Sequence, residues 1–229
     1  MRVVSLVPSL TETLFALGAG EAVVGITDFC IFPEGIDRPR VGGTKTPNIA
    51  RIRQLAPDVV YVNVEENLKK HADEIAKFAR VIATEPRTIG DVAKLIEMLG
   101  ATHGREEQAN ALVQQLSANG ERRTDFSFVV PIWKQPWMWC GGDTYVSNLV
   151  ESVGGRNLLR DRQRYPTIDL DEVLALKPDV VFLPDEPYAF TQSDAEAIDA
   201  KVIGPFPGHL FTWHGVRTIA GLRFLRRSL

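Results

Sequence analysis

The sequence predicts an α/β protein of two similar lobes with mostly parallel sheets, joined by a long rigid connector helix. The first observation is an internal repeat, because Leu55–Tyr61 (LAPDVVY) returns as Leu176–Phe182 (LKPDVVF), displaced by 121 residues. The second is the alternation of short apolar strands with helical stretches, which is typical of parallel sheets. The third is a helical region without a strand between the two halves. We therefore divide the chain into an N-terminal lobe, a helical connector and a C-terminal lobe, over residues 1–87, 88–124 and 125–229.

The N-terminal lobe is predicted to begin with a strand over residues 3–7. Ser9 or Thr11 can cap the helix that follows, and Asn48 can cap a second, short helix that ends at Gln54. The repeat strand comes next, and it is apolar on both faces, as strands in covered parallel sheets are. The remaining elements of this lobe are a strand over residues 23–26, a polar helix over 67–79 and a strand over 80–83.

The connector is predicted from two helical runs. Gly100 and Gly104 interrupt the helical pattern between them, and the second run extends from Arg105 to about Arg122. Apolar side chains recur at helical spacing in both runs, and a flexible linker would instead be rich in Gly and Ser. The apolar positions are Val92, Leu95, Ile96, Leu99, Ala109, Leu112, Val113 and Leu116.

The C-terminal lobe is predicted to begin with a strand over residues 126–132, followed by a loop rich in tryptophan. Asp143 or Thr144 can cap the next helix, which ends at Val153 before two glycines. The rest of the lobe again alternates helices and strands, which are expected over residues 169–176, 180–183, 193–200, 201–203 and 216–229.

The composition is that of an ordinary globular protein, with 45% hydrophobic and 24% charged residues and a net charge of −3. We therefore expect no nucleic-acid partner and no membrane span. The two cysteines, Cys30 and Cys140, have no C-x-x-C spacing, so neither a structural zinc site nor a disulfide framework is expected. The first strand starts almost at Met1 without the features of a secretory leader. Two alternatives follow: a cytoplasmic protein, or one whose leader has been removed.

Ligands of parallel α/β sheets bind beyond the carboxyl ends of the strands, which selects the loops after each strand. Three of the four tryptophans lie within seven residues in one such loop, at Trp133, Trp137 and Trp139. Three indoles in a loop expose apolar area unless a ligand or partner covers it. The second copy of the repeat is followed by Asp185 and Glu186, as the first is by Glu65 and Glu66.

The sequence does not contain the common motifs of enzyme active sites. The chain has no G-x-S-x-G, P-loop or G-x-G-x-x-G sequence, and its four histidines lack metal-ligand spacing. We therefore predict no catalytic residue, no bound metal and no intrinsic cofactor. An alternative class is a cytosolic enzyme that processes a tetrapyrrole, for which Glu65 with His214 is the one pair to nominate. A third class is a ligand sensor that signals to a partner protein.

Several segments resemble the periplasmic binding proteins for cobalamin and ferric siderophores, with the cobalamin-binding branch most similar. The opening Val3–Glu12 carries the resemblance, together with Val24–Thr27, Val41–Gly43 and, in the second half, Gly141–Tyr145 and Val153–Asn157. The resemblance implies two α/β lobes joined by a long helix, with the ligand held between them. It also implies delivery of that ligand to an ABC-type importer, without chemistry.

The resemblance implies a metal chelate as ligand, most readily a corrinoid such as cobalamin, and a ferric siderophore or haem-type chelate as the alternative. It implies a periplasmic location and a permease partner, and we expect a monomer. Glutamates that engage the permease in relatives correspond to Lys69 and roughly His214, so Glu65 and Glu66 are the nearby candidates. The predicted ligand-binding residues are Pro8, Phe29, Phe32, Lys45, Glu65, Trp133, Trp137, Trp139, Tyr165 and Trp213.

Overall fold

The structure, a computed structural model, describes residues 1–119 and 125–229. The chain divides into two compact units, of which the first comprises residues 1–86 and 93–113 and the second 87–92 and 114–229. Each unit contains one four-stranded sheet whose neighbouring strands are all parallel. The predicted fold class is therefore confirmed.

The sheet of the first unit has the order β2-β1-β3-β4. Its helices connect successive strands, as parallel pairing requires. The strands are β1 (Val3–Ser5), β2 (Val23–Ile26), β3 (Val59–Asn63) and β4 (Arg80–Thr84), and the helices are α1 (Pro8–Ala16), α2 (Ile49–Gln54) and α3 (Lys69–Ile75).

One of the two helix caps predicted in the first unit is correct. The side chain of Asn48 accepts a hydrogen bond from the backbone N–H of Arg51 at 3.0 Å and so caps α2 as expected. The prediction that Ser9 or Thr11 caps α1 is wrong, because α1 already begins at Pro8. Proline suits the first turn of a helix, because the backbone N–H groups of that turn have no acceptor within the helix.

In chain order, the strands of the first sheet are followed by two helices, α4 (Ile89–His103) and α5 (Glu106–Asn119), before the second sheet begins. The break falls at Gly104, whose φ of +63° ends α4 in the left-handed conformation. Gly100 does not interrupt the helix as predicted. A Cβ atom there would lie 2.5 Å from the Cβ of Ala109, so glycine lets the two helices approach closely. The predicted end at Arg122 and the boundary at 124 lie outside the described residues.

The sheet of the second unit has the order β10-β9-β5-β8, and β6 and β7 form a separate antiparallel pair. The expected loop of tryptophans is therefore a hairpin, and the single strand predicted over residues 126–132 is split into β5 and β6. The strand β8 and the helix α9 were not predicted. The elements are β5 (Phe126–Val129), β6 (Pro131–Trp133), β7 (Met138–Trp139), α6 (Tyr145–Glu151), β8 (Gly155–Asn157), α7 (Leu170–Leu174), β9 (Val180–Pro184), α8 (Gln192–Glu196), β10 (Val202–Phe206), α9 (His209–Thr212) and α10 (Arg217–Ser228).

The sequence repeat is also a structural repeat. It places β3 and β9 at equivalent positions, and if β1, β2 and β4 are matched to β5, β8 and β10, the two sheets have the same strand order. The repeated aspartate has the same role in both copies. The carboxylate of Asp58 accepts from the backbone N–H of Arg2 at 2.6 Å, and that of Asp179 from Ser127 at 2.7 Å. Each aspartate thus ties the start of its own strand to the first strand of its sheet.

Each unit has its own apolar core. All five residues of β3 and all five of β9 are buried, as expected for inner strands covered on both faces. In the second core, the fully buried Trp139 packs with Val129, Leu183 and Phe190. Its indole N–H donates to the carbonyl oxygen of Ile168 at 2.8 Å, so burial leaves no polar atom of this ring unsatisfied. Within the described residues, no helix has both the length and the apolar character needed to cross a bilayer.

Replacing Trp139 by alanine is expected to lower the free energy of unfolding by ~3–5 kcal/mol, because it leaves a large cavity and an unpaired carbonyl. Denaturant unfolding of the variant measures this loss. Trp133→Ala, at a side chain that is 42% exposed, is the control and should cost about 1 kcal/mol or less. Equal losses for the two variants would contradict the placement of Trp139 in the core.

Candidate functional site

Each unit has one candidate face, at the carboxyl end of its parallel sheet. The face of the first unit is formed by the loops after β1, β2 and β3. Large apolar side chains on two of these loops are exposed to solvent, with Phe29 at 59%, Ile31 at 55% and Val64 at 55%. A group of exposed apolar residues on ligand-binding loops favours a binding surface.

The loop that carries Phe29 is held by polar contacts from beneath. Arg40 donates to the carbonyl oxygens of Thr27 and Cys30, both at 2.8 Å. The buried thiol of Cys30 lies 3.2 Å from the hydroxyl oxygens of Thr11 and Thr27. Burial raises the pKa of this thiol, so it stays protonated and acts as a structural contact. The exposed Phe29 therefore projects from an anchored loop.

Asn67 joins three loops of the same face. Its side-chain amide donates to the carbonyl oxygens of Leu6 at 3.1 Å and Thr44 at 3.0 Å, and its Oδ1 accepts from the backbone N–H of Asn63 at 2.7 Å. The predicted residues Lys45 and Glu65 are brought together here, because the Lys45 ammonium donates to the backbone carbonyl of Glu65. Sequence reasoning missed Asn67 and Arg40, because side-chain contacts to distant carbonyls leave no spacing pattern.

The other two candidates of the first unit differ in exposure. Pro8 is buried at the start of α1, and its contact with a ligand stays a prediction. Phe32 is half-buried on the same loop as Phe29.

In the second unit, five aromatic rings form a continuous row from the core to the surface. Trp137 stacks on Trp139 at 5.6 Å between ring centroids and on Phe190 at 5.7 Å. Tyr188 contacts Phe190 at 4.7 Å and the exposed Trp133 at 5.3 Å. The prediction that all three indoles of this segment line the ligand surface is wrong for Trp139, which is fully buried because the hairpin turns it inward.

The hairpin is fixed to the body of the second unit by an ion pair. Lys134, the first residue of the hairpin turn, donates to the carboxylate of Asp194 at the start of α8. This lysine and the hydrogen bonds from Thr191 lower the pKa of Asp194 to about 2, so this carboxylate stays charged at any physiological pH. Lys134 also lies 5.8 Å above the ring of Trp137. The indole of Trp133 is therefore presented by an anchored hairpin.

Tyr165 and Trp213 lie on other segments of the second unit. Both side chains are half-buried, and the guanidinium of Arg164 lies 5.5 Å from the Tyr165 ring. Trp213 follows α9 directly, and its ring lies 5.7 Å from that of His209. The hydroxyl of Thr212 donates to the Glu186 carboxylate at 3.1 Å, so the loop after β9 and the end of α9 are connected.

Lys69 and His214, which the resemblance matches to permease-docking glutamates, differ in accessibility. Lys69 is exposed and paired with Asp73 at 2.7 Å. His214 is only 5% exposed, and burial lowers its pKa to about 4, so its imidazole is neutral near neutral pH. His214 therefore offers no surface charge to a partner.

No group of three or more His, Cys, Asp or Glu side chains among residues 1–119 and 125–229 is arranged to hold a metal ion. A depression of about 590 Å³ lies at the amino-terminal edge of β3 and β4, lined by Pro57, Asp58 and residues 76–80. It is at the edge opposite to the loops described above, so we do not assign the ligand to it.

Sequence comparison identifies relatives along nearly the whole chain. The vitamin B12-binding protein of Yersinia pestis is 26% identical over 213 residues, covering 87% of this chain and 73% of its own length. An uncharacterized ABC transporter substrate-binding lipoprotein of Bacillus subtilis, YvrC, is 24% identical over 250 residues, covering 100% of this chain and 79% of its own length.

Solved structures share the fold. The periplasmic vitamin B12-binding protein BtuF of Vibrio cholerae superposes with a TM-score of 0.81 at 19% identity, covering 99% of this chain and 95% of its own. The periplasmic haem-binding protein HutB of Vibrio cholerae superposes with a TM-score of 0.83 at 15% identity, covering 99% and 98%. The family described as "Periplasmic binding protein" matches residues 3–203. With this match over most of its length, the chain belongs to the periplasmic binding protein family.

Proposed function

We propose that this chain captures a metal chelate, with a corrinoid such as cobalamin as the first candidate, for an ABC-type importer. The observation that carries the proposal is the exposure of Phe29, at 59%, and Trp133, at 42%, on loops at the carboxyl end of each sheet. Aromatic rings on anchored loops suit a flat ligand, since stacked contacts add about 0.5–1.5 kcal/mol each beyond area burial. Phe29 and Trp133 would contact the ligand from their own faces.

The names of the relatives support this ligand class. The vitamin B12-binding protein of Yersinia pestis covers most of this chain, and the solved structures include vitamin B12- and haem-binding proteins of the same fold. A haem-type chelate or a ferric siderophore is therefore tested beside cobalamin.

We propose binding without chemistry. The pair nominated for an enzyme requires an accessible His214, and its 5% exposure argues against that role. In the second unit, Asp185 accepts from the backbone N–H of Gly208 at 2.7 Å and Glu186 accepts from Thr212, so both carboxylates already support the fold. Neither observation favours turnover of the bound chelate.

We further propose that the protein works on the outer side of the cytoplasmic membrane, as the name of its family suggests, with a permease as its partner. Glu65 is exposed and Glu66 is half-buried on the loop after β3, so both stay candidates for contact with that permease. A monomeric state is likewise a proposal.

The direct experiment mixes the purified protein with cyanocobalamin, removes free ligand by desalting and records the visible spectrum. We expect retained colour at one ligand per chain. The same procedure with haemin and with a ferric siderophore compares the other chelates. Retention of none of the three would refute chelate capture, and chemical change of a retained chelate would refute binding without chemistry.

Phe29→Ala should weaken binding of the retained chelate about tenfold, since it removes one exposed aromatic contact of roughly 1.4 kcal/mol. Titration followed by absorbance or calorimetry measures the affinity. The matched control is Leu176→Ala, which shortens another exposed apolar side chain, 48% accessible, before β9 at the opposite edge of a sheet. Equal effects of the two substitutions would show that Phe29 has no specific part in binding.

Trp133→Ala should weaken binding by about ten- to a hundredfold, because an indole offers more stacking area than a phenyl ring. Trp133→Phe keeps an aromatic face and should retain most of the affinity. Thermal unfolding of both variants should stay close to that of the parent chain. An unchanged affinity of Trp133→Ala would exclude the hairpin from the ligand surface.

A further inference from the structure

We propose that Glu186 is a positioning residue: its carboxylate holds the Trp213 indole in the orientation that meets the ligand, and protonation of Glu186 releases it. The part that concerns ligand rests on the proposed function. The part that concerns the indole rests on the second unit alone and is tested without ligand.

The hydrogen bonds around Glu186 support this role. The carboxylate accepts from the hydroxyl of Thr212 at 3.1 Å and also from the side chain of Trp213. Tryptophan has a single donor, its indole N–H, so this bond fixes the rotation of the ring. A carboxylate is a stronger acceptor than a neutral group, and the charged form of Glu186 is therefore the form that holds the indole best.

The backbone around Glu186 is packed closely enough to transmit this restraint. A Cβ atom on Gly208 would lie 2.4 Å from Cγ of Glu186, so the residue before α9 rests directly on the glutamate side chain. Asp185 accepts from the N–H of Gly208 at 2.7 Å. The helix that leads to Trp213 is thus fixed to the loop after β9 at its start by Asp185 and at its end by Glu186.

The surroundings of Glu186 favour its protonated form. Burial raises the pKa of Glu186, and the charge of Asp185 raises it further, against the hydrogen bonds from Thr212 and Trp213. As the pH falls, Glu186 therefore takes up its proton before an exposed glutamate does. The indole N–H then loses its charged acceptor, and we expect Trp213 to become mobile.

The histidines near Trp213 need to be distinguished from Glu186. Burial and the positive charge of Arg217 lower the pKa of His209, whereas Asp185 raises it, and the His209 ring lies 5.7 Å from that of Trp213. His214 is buried, and its pKa is lowered to about 4. A protonated His209 would also quench the indole, so His209 is varied separately.

The first experiment uses the full chain without ligand. The emission of Trp213 is obtained by subtracting the spectrum of Trp213→Phe from that of the parent chain, from neutral to mildly acidic pH. We expect acid to increase acrylamide quenching of this emission. Glu186→Gln should show the acid behaviour already at neutral pH and lose the pH dependence. Glu172→Gln, which removes an exposed charge in the same unit, should behave as the parent chain.

His209→Asn should keep the pH dependence. If the dependence persists in Glu186→Gln and disappears in His209→Asn, the proposal is overturned. Glu186→Asp provides a second variant should the glutamine variant fold poorly by circular dichroism. It keeps the charge on a shorter side chain, and we expect a more mobile indole at neutral pH. An indole as protected as in the parent chain would contradict the positioning role.

The second experiment measures the affinity for cyanocobalamin and for haemin over the same pH range. We expect the affinity of the parent chain to fall about tenfold in mild acid, since a charge-assisted hydrogen bond is roughly twice as strong as a neutral one. Glu186→Gln should bind weakly at every pH, and Trp213→Phe should lose the pH dependence. If neither probe binds, the proposed function fails for these ligands, while the fluorescence experiment still decides the role of Glu186.

Discussion

The structure depends on one aspartate in each unit that joins two strands at their starts. Asp58 and Asp179 follow a helix and a proline, and each carboxylate accepts the backbone N–H of a residue at the start of the neighbouring strand. The hydrogen bonds from Ser127 lower the pKa of Asp179, so this carboxylate stays charged well into the acidic range. The outer strands pair with these two inner strands, so the alignment of the inner pair also determines where the loops at the carboxyl edge lie.

The sequence was sufficient to predict the inner strands. It was insufficient where contacts between distant residues determine the secondary structure. The repeat and the continuous apolar runs located β3 and β9, because a strand covered on both faces has no polar position. The sequence does not predict the hairpin of β6 and β7, because the Gln135-Pro136 pair between the tryptophans is also typical of a loop. The α1 cap was assigned to Ser9 or Thr11, although Pro8 already suits the first turn. The strand β8 is short and begins at Gly155, the second of two glycines that indicate a helix end.

For the candidate site, the sequence located the loops but not the direction of the side chains. Trp133 and Trp139 are six residues apart on one hairpin, yet one is 42% exposed and the other fully buried. Which ring turns inward depends on the core of the second unit, where Trp139 meets Phe190 and Val129. The restraint by Asn67 is equally invisible in the sequence, because it acts on the backbone carbonyls of Leu6 and Thr44.

The duplication has an evolutionary consequence. Each unit carries its own aspartate, its own inner strands and its own apolar core, whereas the residues at the carboxyl ends differ between the copies. A substitution in the loop after β3 changes none of the residues that form the core of the other copy. Selection can therefore alter the chemistry of one face while the other stays constant, which offers a gradual route to a new ligand.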